Sequence, residues 1–176
     1  MKLLLLLVLL AVLWTVWRGV NTAVMPLAGS RAPDFRLPDQ DGKFHQLSAY
    51  AGKWRIVYFY PRDDTPGCTK EACAFRDGLE KLQAAGAVVL GISVDGVARH
   101  KRFAEKYHLN FPLLADPHGA VSRQYGVLMD WVILRMAKRV TFLIGPDGTI
   151  SHVYRQVDPD RHDEAILKTI ESLKSG

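Results

Sequence analysis

Cysteine is scarce in this chain: of 176 residues only Cys68 and Cys73 are thiols. They stand five apart, so no Cys-x-x-Cys pair brings two thiols together within one helical turn. Blocks of like charge are also missing. The 23 Lys+Arg and 18 Asp+Glu are dispersed and leave a net charge of +5. Without a basic stripe or an aromatic platform, nucleic-acid binding is a poor reading. No internal repeat and no low-complexity tract follow the N-terminal leader. Beyond that leader roughly 146 residues remain, enough for one well-buried domain.

The leader is the one long apolar run. Leu3 to Trp17 is almost wholly apolar between Lys2 and Arg18. Such a run is short against the ~20 residues a spanning helix needs. Trp14 and Trp17 suit a membrane interface. Neither Asn21-Thr22-Ala23 nor Leu27-Ala28-Gly29 makes a good small-x-small cleavage site. Residues 1–24 therefore read as an uncleaved hydrophobic anchor, with a cleaved secretory signal as the alternative. On that reading residues 25–31 are a linker, and residues 32–176 form a domain outside the cytoplasm, tethered to a membrane.

Within the domain, apolar runs alternate with helical segments. Ile56–Tyr60, Val88–Val94 and Leu113–Ala115 read as strands. Val140–Ile144 and Ile150–Tyr154 flank Pro146-Asp147-Gly148-Thr149, a hairpin signal. Helices are expected over Thr65–Ala85, ended at Gly86, over Val97–Tyr107 and over Ala120–Tyr125. A last one is expected from Pro159 to about Leu173, with Asp158 as N-cap. Asp39-Gln40-Asp41-Gly42 is a turn between two short extended pieces. Strands alternating with helices, then a hairpin and a helix, give an α/β sandwich with a central mixed sheet flanked by helices.

Cys68 stands where a strand end meets a helix start. Thr65 is a good N-cap and Pro66 is favoured at the first helical position, which puts Cys68 in the first turn. The unpaired N–H groups and the macrodipole there favour a thiolate over a thiol whose ordinary pKa is about 8.5. Each unit of lowering is worth roughly 1.4 kcal/mol. On one continuous helix Cys73 lies about 8.7 Å from Cys68 between Cα atoms and about 140° around the axis. A disulfide needs about 7 Å or less, so these two can pair only if the first turns unwind.

The string Pro61-x3-Thr65-x2-Cys68 resembles the peroxiredoxin family. A second cysteine five residues on, Cys73, resembles its bacterioferritin-comigratory or Q-type branch. Ala32-Pro33-Asp34-Phe35, Leu37-Pro38-Asp39, Phe111-Pro112-Leu113-Leu114-Ala115-Asp116 and Arg139-Val140-Thr141-Phe142 continue the resemblance in order. It implies a thioredoxin-like fold and a peroxidase acting on hydrogen peroxide and organic hydroperoxides without a cofactor. Cys68 would be the attacking thiolate and Cys73 the resolving thiol. Thr65 would hold the peroxide, Pro66 would shield the sulfur, and Arg139 would stabilise its charge. Pro61 completes the motif. A thioredoxin-like dithiol would reduce the Cys68–Cys73 disulfide, and members of the branch are often monomeric.

Two rival readings use the same fold: an exported thiol–disulfide oxidoreductase and a copper-binding module. Both require a cysteine spacing this chain lacks. Of the six histidines, His100, His108, His118, His152 and His162 read as solvated surface residues, and Arg123 reads the same way. One segment departs from the branch. Leu128 to Met136 is strongly apolar where a more polar loop is usual. It is either packed on the core or an exposed membrane- or partner-facing patch.

Overall fold

A computed structural model describes residues 23–131 and 134–175. The hydrophobic helix and anchor expected over residues 1–24 fall outside the described residues, apart from Ala23 and Val24. A short hairpin comes first, β1 (Arg36–Pro38) with β2 (Phe44–Gln46), closed by Asp39 N–H donating to the Lys43 carbonyl. A single 3-10 turn, Leu47–Tyr50, leads into β3 (Trp54–Phe59). Next come α1 (Pro66–Ala84), β4 (Ala87–Ser93), α2 (Val97–Tyr107), β5 (Leu113–Ala115) and α3 (Ala120–Gln124). A second hairpin, β6 (Leu128–Trp131) with β7 (Leu134–Ala137), precedes β8 (Val140–Ile144), β9 (Ile150–Tyr154) and α4 (His162–Ser175).

The central sheet has the order β5-β4-β3-β8-β9. β3 is parallel to β4, and β4 to β5, while β8 runs antiparallel to β3 and to β9. This is the mixed sheet the strand pattern implies. β3 lies at its centre and is covered on both faces, which is why it reads as a continuous apolar run. Its alternate side chains divide the core. Ile56 and Tyr58, with the following Tyr60, face a layer holding Phe75, Leu79 and Leu82 of α1 and Ile166 and Ile170 of α4. Val57 and Phe59 face Phe35, Val121, Tyr125 and Phe142. The last residue of β3 thus leads straight into the loop that carries Pro61 to Thr65.

The expected linker is docked on the domain. Gly29 N–H donates to the Ile150 carbonyl and Ala32 N–H to that of Gly148. Two readings need correction, the start of the last helix and the exposure of two histidines, and one open reading gains a structure. The last helix starts at His162 rather than Pro159, because residues 158–161 form a turn. In it Asp158 accepts from Asp160 N–H through its side chain and from Arg161 N–H through its carbonyl. The apolar segment 128–136 is a hairpin, pinned by Arg135 and Arg123 on Asp130. Its base packs inward at Ala137, and its far end leaves Trp131 70% exposed. Two of the five histidines are not on the surface. His100 and His162 are buried, while His108, His118 and His152 are exposed as expected.

Close approach to β3 fixes one position in β4. A Cβ at Gly91 would stand 2.7 Å from the Tyr58 ring, which is itself buried under α1. Gly91→Ala is expected to lower unfolding free energy by about 1–3 kcal/mol in denaturant titration, as overpacking does. Trp131→Ser is expected to change it by less than ~0.5 kcal/mol, as exposed substitutions do.

Candidate active site

The site assembles where β3 ends, α1 begins and β8 starts. Thr65 is the N-cap of α1 with extended backbone, Pro66 follows at the first helical position, and Cys68 sits in the first turn. The Thr65 hydroxyl makes no capping bond to the helix; it donates to the Arg62 carbonyl at 3.0 Å. The helix start is closed instead by the Thr65 carbonyl, which accepts from Thr69 N–H. Cys68 is 2% exposed and lies in the first turn, at the positive end of a 19-residue helix.

Arg139 comes to this sulfur from across the sheet. It stands one residue before β8, which pairs with β3, so β8 delivers its side chain to the start of α1. Its Nη2 donates to Cys68 Sγ at 3.2 Å, and its Nη1 donates to the Glu71 carboxylate. Gly67 allows this approach: a Cβ there would lie 3.2 Å from Nη2. The hairpin between α3 and β8 does not disturb Arg139. Lys138 N–H donates to the Val127 carbonyl and closes the hairpin at its base.

Glu71 was not singled out in the sequence. It lies three residues after Cys68 on α1, fully buried, with one carboxylate oxygen on Arg139 and the other without a hydrogen-bond partner. Burial pushes its pKa up to about 7, against the opposing pull of Arg139. Arg139 loses solvation by burial, but Glu71 and Cys68 outweigh this and raise its pKa, so it is a cation throughout. The Cys-x-x-Glu spacing places both side chains on one helix face, but it does not distinguish Glu71 from a solvated acid. His162 lies nearby and accepts from or donates to the Thr141 hydroxyl at 2.8 Å. Burial and then the charge of Arg139 push it down to about 4, which keeps it neutral.

The other expected residues are placed as follows. Pro61 stands two residues after the end of β3 and is half-buried, Pro66 is exposed, and Cys73 is half-buried further along α1. Both cysteines are free thiols. The structure therefore brings Cys68 and Arg139 together, adds Glu71, and keeps Cys73 on the folded helix. Arg123 is a surface residue paired with Asp130. Among the described residues no group of three or more His, Cys, Asp or Glu is placed to hold a metal ion.

Comparison with known proteins matches this arrangement. The model of the AhpC/TSA family matches residues 28–153. The chain is 46% identical over 146 residues to a chloroplastic peroxiredoxin Q of Oryza sativa subsp. japonica, covering 82% of this chain and 67% of that one. It is 49% identical over 138 residues to a putative peroxiredoxin bcp of Coxiella burnetii, covering 76% and 91%. Among solved structures, peroxidoxin BcpB from Mycobacterium tuberculosis superposes with a TM-score of 0.79 at 37% identity, over 85% of this chain and 99% of that one. A Xanthomonas campestris bacterioferritin comigratory protein, described for its alkyl peroxide reduction activity, gives 0.75 at 33% identity over 86% and 98%. These findings also correct the placement expected from the leader. The relatives are chloroplastic and bacterial peroxiredoxins, and no helix among the described residues is long and apolar enough to cross a membrane, so membrane anchoring of an extracytoplasmic domain is not supported. With its thioredoxin-like sheet and a cysteine facing an arginine at a helix start, the chain belongs to the AhpC/TSA family as a peroxiredoxin of the Q/bcp type, a thiol-dependent peroxidase.

Proposed function

We propose that Cys68 is the thiol oxidised by the peroxide and that Cys73 resolves the product, with Arg139, Thr65 and Glu71 shaping the first step. The observation that carries this reading is the 3.2 Å contact from the Arg139 guanidinium to Cys68 Sγ. A cation and a helix start together favour the thiolate, which is the nucleophilic form. The thiolate attacks the terminal oxygen of a hydroperoxide. The S–O bond forms, the O–O bond breaks, and the leaving alkoxide or hydroxide takes a proton to give alcohol or water. Arg139 is placed to offset the negative charge that moves from sulfur to the leaving oxygen.

Thr65 has spent its hydroxyl proton on the Arg62 carbonyl. Its lone pairs are therefore what it offers, and they accept from the O–H of an incoming hydroperoxide. Pro66, exposed at the first helical position, covers the approach to Cys68 from solvent. Glu71 fixes Arg139 by accepting from the guanidinium nitrogen that does not reach the sulfur.

In the second step the Cys73 thiol condenses with the Cys68 sulfenic acid and water leaves. On the intact helix the two Cα atoms stand about 8.7 Å apart, so the first turns of α1 unwind for the bond to form. A thioredoxin-like dithiol then reduces the disulfide by exchange, supplying two electrons and restoring both thiols. The substrate class reported for the Xanthomonas campestris relative, alkyl peroxides, fits this chemistry beside hydrogen peroxide. The scheme draws every reacting group from one chain, which is compatible with a monomer.

Cys68→Ser is expected to abolish peroxide consumption. Cys73→Ser is expected to form one sulfenic acid per chain, trapped by a dimedone-type reagent, yet to fail in turnover with a thioredoxin-like donor. Full activity in Cys68→Ser would refute the assignment. Glu71 supplies a pH test. Its folded pKa of about 7 lies above the ordinary carboxylate value, so it is neutral below that pH and ionises as pH rises through it. The ionised form holds Arg139 more firmly. Stopped-flow oxidation of Cys68 should therefore accelerate with a step centred near pH 7, and Glu71→Gln should remove that step.

A further inference from the structure

The loop that connects β3 to α1 carries Thr65 and sets how Cys68 is presented. Its conformation is not one the backbone adopts freely. Asp64, immediately before Thr65, has φ +61°, in the left-handed region that disfavours a side chain. Contacts from outside the loop hold it there, and most of its side-chain partners sit on one helix.

Four side chains of α2 reach the loop. His100 Nδ1 bonds the Asp63 carboxylate at 2.8 Å, and Arg99 Nη2 donates to the Asp63 carbonyl at 3.0 Å. Lys106 Nζ donates to both oxygens of Asp64 at 2.8 and 2.9 Å, and the Tyr107 hydroxyl donates to one of them at 2.7 Å. The first pair is sealed: His100 is 0% and Asp63 1% exposed. The second oxygen of Asp63 accepts from the Tyr60 hydroxyl at 2.7 Å, and Asp63 N–H donates to the Asp95 carboxylate at 2.8 Å. His100 Nε2 has no hydrogen-bond partner, so the ring's one polar contact besides the 3.5 Å approach to Tyr60 is directed at the loop. None of these side chains bonds to Cys68, Glu71 or Arg139. A buried polar pair of this kind is weak evidence for stability and better understood as fixing one geometry.

We propose that α2 is a clamp on the active-site loop, with His100 and Asp63 as positioning residues for the oxidation of Cys68. The clamp holds Asp64 in its left-handed conformation, which sets the Thr65 backbone and the first turn of α1. It also gives the loop a fixed edge from which that turn refolds after each cycle of unwinding. The inference rests on the assignment of Cys68 as the attacking thiolate.

The test is stopped-flow oxidation of the full chain by hydrogen peroxide, well below the unfolding temperature of each variant. His100→Leu should lower the second-order rate constant by at least about tenfold, the scale that small misplacements of reacting groups produce. His100→Asn, whose amide can still donate to Asp63, should recover to within about threefold of the parent. A parental rate in His100→Leu, or an Asn variant as slow as the Leu variant, would overturn the clamp. Should His100→Leu not fold, the double substitution Lys106→Ala with Tyr107→Phe frees Asp64 from the exposed side. It should slow oxidation about threefold, and a parental rate would overturn the proposal equally. If these variants oxidise at the parental rate while Cys68→Ser is dead, the clamp fails and the Cys68 assignment stands. If Cys68→Ser still consumes peroxide, the assignment itself fails.

Discussion

The contact between the Arg139 guanidinium and the Cys68 sulfur, at the first turn of α1, is the interaction on which the other features depend. It needs three things at once. β8 has to pair with β3 so that residue 139 arrives beside residue 68. Residue 67 has to be small enough to let the guanidinium through. The helix has to be folded, because only then do its free N–H groups and its dipole reinforce the cation. Glu71 adds an anion behind the arginine, so the guanidinium is shared between a sulfur and a carboxylate rather than committed to either.

That folded start conflicts with the next step. On the proposed assignment Cys68 attacks from a folded helix, whereas Cys73 reaches it only when the same turns unwind. The chain reconciles the two by giving the two ends of α1 different anchors. Beyond Cys73, Phe75, Leu79 and Leu82 are buried against the sheet and α4. Ahead of Cys68, Asp63 and Asp64 are tied to α2. Between these anchors Cys68, Glu71 and Ala72 are buried, Thr69, Cys73 and Ala74 are half-buried and Lys70 is exposed. Local opening draws on segments with few buried apolar contacts, and no large apolar side chain is buried between Cys68 and Ala74.

Much of this was legible in the sequence. Thr65 and Pro66 gave the helix start, and with it the first-turn position of Cys68. The strands announced themselves as apolar runs because the sheet is covered on both faces. Other parts carried no local signal. Glu71 looks like any acid on a solvated helix face until the fold brings Arg139 to it from 68 residues away. His100 reads as a surface residue, since its partner Asp63 lies 37 residues earlier. Segment 128–136 hides its hairpin because its sequence holds no glycine or asparagine, and the cross-strand pair Asp130–Arg135 is visible only once the register is known. The start of α4 was displaced because the side chain of Asp158 serves a turn rather than a cap.

The central claim is that one helix end is folded for attack and unfolded for resolution. Amide hydrogen exchange across residues 66–76, in the reduced protein and in the disulfide form, tests it most directly. Protection from Thr69 to Cys73 should be present in the reduced protein and lost in the disulfide form, while residues 79–84 stay protected in both. Unchanged protection from Thr69 to Cys73 in protein whose Cys68–Cys73 bridge is verified by peptide mapping would contradict the account.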